Sequence, residues 1–367
     1  VTDQDPEEIL LRAFQLDYTE EKVSLLDEAV RLADLRQDLD LGYRAREALI
    51  EASTFGGFPD KALVAFTWCL SQCDRDGERF NESELLWSYK WVASRLPYFP
   101  QIPRAKIEEV HADMAQRYQR SGLNLRPVAK IRWLAARRMG DREVALAAYD
   151  EAESLPRDSG ADCAACEAND RVRYLLYAER SADALQAAAP ILSGRLGCAE
   201  IPHATLGMVL RPLLDLDRGQ EASRMHARGL RLVRGNREFV GTHADHLSFL
   251  ALTKNDRRGL QLLEEHLPLA LRTTDLDQRL RFLGAAAQLL QGLEQDAPRL
   301  KLSPQLACYQ PEGRYERPVL EAWFRSEAEV LADRFDARNG NSLFRDTLRA
   351  ASERMSQPRK RVPIDKN

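Results

Sequence analysis

The chain has 367 residues, 44% of them apolar and 30% charged, with a formal net charge of −4. This balance excludes a globally basic nucleic-acid surface, and no apolar run approaches the ~20 residues that would span a bilayer. Six cysteines in so long a chain are too few and too clustered for a secreted disulfide framework, which leaves metal ligation or reduced thiols. The start, Val1 to Asp5, lacks the basic and apolar regions of a leader, so a cytoplasmic protein is expected.

Residues 1–40 read as an N-terminal cap. Pro6 to Asp38 holds two amphipathic helical segments, with Thr19 as N-cap of the second and Glu20 and Glu21 in its first turn, where the helix dipole favours carboxylates. Residues 41–293 then resolve into helix pairs. These are Leu41–Thr54 with Pro59–Gln72, Glu82–Leu96 with Pro103–Arg120, Pro127–Met139 with Arg142–Leu155, Cys163–Glu179 with Ala182–Gly194, Pro202–Leu216 with Gln220–Val233, and Phe239–Thr253 with Arg257–Leu271. The connections are short and turn-rich, as in Gly140-Asp141 and Asn255-Asp256, so consecutive helices should lie antiparallel. A further apolar helix is predicted over Asp277–Leu293. Residues 294–356 read as an irregular loop containing Pro298, Pro304, Pro311 and Pro318, followed by two capping helices, Val319–Arg338 and Ser342–Arg354. Residues 357–367, with Arg359, Lys360, Arg361 and Lys366, are expected to be a disordered basic tail.

A small residue returns at Ala62, Ala105, Ala145, Ala184, Ala222 and Gly259, a step of roughly 35 to 45 residues that marks stacked helical hairpins. In each second helix it begins an i, i+4, i+7 set on one face, such as Ala145/Tyr149/Ala152 and Ala222/His226/Gly229. The fold class expected is therefore all-α, a right-handed α-solenoid of stacked antiparallel hairpins with terminal capping helices. This pattern resembles the tetratricopeptide repeat over roughly residues 41 to 290. Met139-Gly140-Asp141 through Ala145, Tyr149, Ala152 and Pro156 is the closest match. The step is longer than the family's ~34 residues, and most first helices lack its Trp-Leu-Gly-Tyr pattern.

The sharpest chemical signal is Cys163-Ala-Ala-Cys166 followed by Cys198 and His203. Three thiols and an imidazole suit tetrahedral zinc. Both pairs fall at the starts of successive first helices, which a solenoid makes neighbours, so a closed structural zinc between central repeats is expected. Packed reduced thiols and a redox dithiol are the alternatives. Cys69 and Cys73 sit on an apolar helix as packing residues.

The resemblance implies that first helices line a concave groove. Counting back from the repeated small residues places Lys90, Lys130 and Asn169 at one groove position, Arg173 and Arg211 at a second, and Arg137 with Arg138 near a third. Such a row would hold a protein or peptide partner that is acidic or carries a free C-terminal carboxylate; solvated charges are the alternative. Trp87 and Trp91 share a helix face and would be an anchor or core. No P-loop, HExxH, GxSxG or dinucleotide fingerprint occurs, and the chain is read as a non-enzymatic interaction scaffold with neither membrane nor nucleic-acid partner. Two further readings stay open: a sensor in which zinc or cysteine oxidation controls partner binding, and an enzyme centred on His243 and His246.

Overall fold

The computed structural model describes residues 5–364. Helices α1 (Pro6–Phe14), α2 (Glu20–Leu35), α3 (Leu39–Phe55), α4 (Pro59–Arg75), α5 (Glu82–Arg95), α6 (Arg104–Arg120), α7 (Arg126–Met139) and α8 (Arg142–Ser154) belong to one compact unit, residues 1–161. A second unit, residues 162–367, holds α9 (Ala164–Tyr177), α10 (Ser181–Leu192), α11 (His203–Met208), α12 (Leu210–Asp215), α13 (Gly219–Val233), α14 (Val240–Leu252), α15 (Asp256–Arg272), α16 (Leu276–Gly292), α17 (Arg317–Asn339) and α18 (Leu343–Met355). The array anticipated over 41–293 is thus apportioned between two units. Among the described residues there is no β-strand, only an isolated bridge between Arg299 and Arg314. No helix among them is long and apolar enough to cross a membrane.

The packing is solenoid-like within each unit. Neighbours in sequence pair as hairpins, α1 with α2, α3 with α4, α7 with α8, α9 with α10, α14 with α15 and α16 with α17. Alternate helices stack on one another as well: α3 on α5 and α5 on α7 in the first unit, α9 on α11, α11 on α14 and α14 on α16 in the second. The repeated small residues explain this geometry. Ala62, Ala145, Ala184 and Ala222 are all at most 2% exposed, and a Cβ on Gly259 would meet the Leu289 side chain. The residues four and seven positions on, such as Phe66 and Cys69 or Ala188 and Ile191, are buried with them.

Local chemistry sets the ends. Thr19 accepts a hydrogen bond from the Lys22 N–H at 3.3 Å and caps α2 as expected. Gly140 and Gly340 close α7 and α17 in the left-handed region, at φ 84° and 72°.

Three expectations need correction. Ala105 is exposed; the buried i, i+4, i+7 set on α6 is Ile107, His111 and Met114, two residues further on, because that helix turns its Ile and Met inward. The helix expected over Pro202–Leu216 breaks into α11 and α12 at Val209, where Pro212 offers no N–H to the Met208 carbonyl four residues back. The basic tail is not disordered over its described part: Arg359, Lys360, Val362 and Pro363 all bond to the second unit. Lys366, like Val1, lies outside the described residues.

Candidate metal centre

Cys163 is the N-cap of α9, with φ −63° and ψ 156°, and its Sγ accepts the Cys166 N–H at 3.4 Å. A thiol thus takes the role that a Ser or Asp oxygen usually plays at an orphan helix N-terminus. One turn on, Cys166 reaches the same end of the helix. Cys198 arrives from the loop between α10 and α11, where its N–H donates to the Ile201 carbonyl at 2.8 Å. A small apolar cluster fixes that loop: Ala165 of α9, Ile191 of α10 and Ile201 are at most 3% exposed, with Leu196 and Cys166 packed against them.

The three Sγ atoms lie within 4.8 Å of one another, and Cys166 Sγ is 3.6 Å from Cys198 Sγ. Zinc–sulfur bonds of about 2.3 Å in a tetrahedron separate their sulfurs by about 3.8 Å, so the triad fits a zinc ion. All three thiols are free, Cys163 and Cys198 exposed and Cys166 half-buried. For Cys163, burial pushes the thiol pKa up, but the backbone N–H groups of Cys166 and Ala165 and the neighbouring thiols outweigh it and leave the pKa below its ordinary value. Burial and the two adjacent sulfurs drive the Cys166 pKa upward. Cys163 is thus the thiol that the helix N-terminus favours as a thiolate, while Cys166 is held as the neutral thiol.

His203 does not join this group. It is the first residue of α11, and its ring stacks on Phe239 at 5.1 Å and 15°. Burial holds its pKa below the usual imidazole value, with the Glu200 carbonyl opposing. Of the four expected ligands the structure brings together three, Cys163, Cys166 and Cys198.

The predicted groove residues fare unevenly. Lys90 is 3% exposed; its Nζ donates to the Gly160 carbonyl at 2.8 Å and stands over the Trp87 ring. Asn169 is 4% exposed, and its side-chain oxygen accepts from Thr205 Oγ1 at 2.7 Å. These two belong to the interior of their units and act there as packing residues. Lys130, Arg137 and Arg138 are half-buried, Arg137 near the Trp133 ring and Arg138 near that of Tyr98. Arg173 pairs with Asp170 and Arg211 with Asp215. Trp87 is partly exposed and meets Trp91 edge-on.

His243 and His246, on which the enzyme reading centres, are both fully buried, with neither ring exposed to solvent. Cys69 and Cys73 are core thiols, Cys73 touching the Tyr43 hydroxyl at 3.3 Å. No family model matches the chain, and no curated protein matches it.

Proposed function

We propose that the chain is a protein-interaction scaffold of the helical-repeat class, tetratricopeptide-like in its second-helix pattern, whose second unit carries a zinc ion on Cys163, Cys166 and Cys198. The observation that carries this reading is the convergence of three free thiols, from the start of α9 and the loop before α11, to within 4.8 Å. Bound there, zinc would tie the start of α9 to the loop before α11, contributing its binding free energy to that part of the fold. Three thiolates leave a fourth tetrahedral position. With Cys163 and Cys198 exposed, that position is open to a water or to a donor from a bound protein. The partner class is a peptide or disordered protein segment. The groove cations support it little, because Lys90 and Asn169 are buried and Arg173 and Arg211 already have carboxylate partners.

The 3.6 Å approach of Cys166 and Cys198 favours one second reading, a thiol switch. Two thiols would lose two protons and two electrons to a low-molecular-weight disulfide, forming a Cys166–Cys198 bond and two reduced small thiols. Zinc and disulfide exclude one another, so titrating free thiols in the metal-loaded chain tests both. Zinc loading should protect all three cysteines from an alkylating reagent; equal reactivity with and without zinc would sink the metal reading.

A further inference from the structure

The stretch 357–364 follows α18 and lies in a seat built by distant parts of the second unit. Arg359 donates through Nη1 to the Ala251 carbonyl at 2.8 Å and through Nη2 to the Gly292 carbonyl at 2.7 Å. One guanidinium thereby caps the last turns of α14 and α16, where the terminal carbonyls carry the negative end of each helix dipole. Gly292 makes the room: a Cβ there would fall 2.6 Å from Arg359 Nη1. Three residues on, the Val362 N–H donates to the Thr253 carbonyl at 3.3 Å, and Asn255 Nδ2 donates to the Val362 carbonyl at 2.9 Å. The Val362 side chain, 9% exposed, sits on Gly219, where a Cβ would come within 2.9 Å of it. Ser223 Oγ donates to the Pro363 carbonyl at 2.9 Å, Lys360 pairs with Asp217, and Ile364 lines a cleft of about 840 Å³ between α13 and α15.

We propose that this seat is a peptide-recognition site for extended segments of the pattern Arg-x-x-Val, filled in cis by Arg359–Pro363, and that a partner protein carrying such a segment binds by displacing the tail. The seat reads main chain through Thr253, Asn255 and Ser223 and side chains through two places made by glycines. That division of labour is how extended peptides are recognised. Displacement uncovers little: Val362 is the segment's one buried apolar residue, so the hairpin core stays closed. The connection from Met355 to Arg359 is short, which holds the tail at an effective concentration on the order of millimolar. A partner segment of micromolar affinity therefore competes poorly until the tail is loosened. The proposal rests on the scaffold reading but not on the thiol centre. Metal content is measured in the same samples, so loss of zinc and loss of peptide binding are separate results.

The test uses the full chain and a fluorescent peptide of residues 357–364. In the Arg359→Ala/Val362→Ser double variant, whose own tail is released, anisotropy should show the peptide binding at least tenfold more tightly than to the unaltered chain. A peptide with Arg359→Ala should bind at least tenfold more weakly, and adding Gly219→Leu to the double variant should abolish binding. A folded double variant that binds the peptide no better than the unaltered chain would overturn the proposal. So would a concentration-dependent dimer of the unaltered chain that the double variant lacks, which would assign the seat to the tail of a second copy. Should the double variant not fold, hydrogen exchange on the unaltered chain decides. Excess peptide should speed exchange at the Val362 amide about tenfold and leave the α14 interior unchanged; no change at Val362 would overturn it.

Discussion

His226 Nδ1 lies 3.1 Å from His246 Nδ1 at the buried meeting of α13 and α14. One imidazole must donate and the other accept, so both cannot be charged. His246 Nε2 faces Gly229 with no polar partner, which assigns the proton to His246 Nδ1 and makes His226 the acceptor, because an orphaned donor costs more than an orphaned acceptor in a neutral ring. Beside them the His243 ring packs at 4.1 Å from that of His266 and donates through Nε2 to the Val233 carbonyl. Four of the chain's six histidines thus form one neutral cluster.

Burial pushes His226 and His243 down to about 3, with Arg258 adding to the effect at His226 and His266 at His243. Burial also lowers His246 and His266, Glu265 opposing at His266. Above the unfolded value of about 6.5, neither state takes up protons and the stabilisation is complete. As the pH falls below it, the unfolded chain binds protons that the folded one refuses, and stability drops by about 1.4 kcal/mol per pH unit for each imidazole. Urea unfolding at pH 7.5 and 5.0 should show this loss, and His226→Gln should reduce the slope by about one proton. Glu47 in the first unit, raised to about 7 by burial, acts in the opposite sense, so the comparison with the variant isolates the cluster. An unchanged slope in His226→Gln would contradict the assignment.

Gly229 is where that cluster meets α13. A Cβ there would lie 2.9 Å from His246 Cε1 and 2.9 Å from Leu206 Cβ. Alanine improves helix propensity by about 1 kcal/mol, but overpacking costs about 1–3 kcal/mol, and neither neighbour can retreat: Leu206 Cβ is tied to its backbone and the His246 ring to His226. Gly229→Ala is therefore expected to lower stability by about 1 kcal/mol net. A rise in melting temperature would show that the neighbours yield.

Lys90 should behave as an interior residue. Lys90→Ala removes an ammonium from the Gly160 carbonyl and from the Trp87 face, a loss of about 2 kcal/mol or more. Arg211→Ala, at an exposed i, i+4 pair with Asp215, should change stability by less than about 0.5 kcal/mol. Thermal melts of the two variants side by side check the contrast, and equal effects would reject it.

Arg117 in the first unit pairs with three carboxylates. Its side chain is 8% exposed and bonds Asp113 at 2.7 Å, Asp74 at 2.8 and 3.0 Å, and Glu82. Arg117→Ala leaves three carboxylates facing one another. Removing one partner of a buried pair costs about 3–5 kcal/mol; because Asp74 is half-exposed and Asp113 more than a third exposed, about 2–3 kcal/mol is expected here. The loss should grow as salt is lowered, and a salt-independent effect would point to lost packing instead.

Helical periodicity made the hairpins legible, because burial of Ala145, Ala184 and Ala222 follows directly from their spacing. Cys163 and Cys166 were legible for the same reason: a helix start places both at one end. His203 was misplaced because sequence spacing cannot say which way a ring turns, and Phe239 captures it. The Ala105 register failed where a helix had two apolar phases two residues apart, and the larger Ile107 and Met114 took the core. The seat for Arg359 was illegible because its partners, Ala251 and Gly292, lie 108 and 67 residues away in the chain and act through backbone carbonyls that carry no sequence signature.

The three-thiol centre is tested most directly by native mass spectrometry of the full chain at neutral pH after zinc loading and removal of excess metal. One zinc per chain is predicted, lost in Cys163→Ala and Cys198→Ser and retained in His203→Ala. A chain that holds no zinc, or one that keeps it when Cys198 is replaced, would contradict the centre.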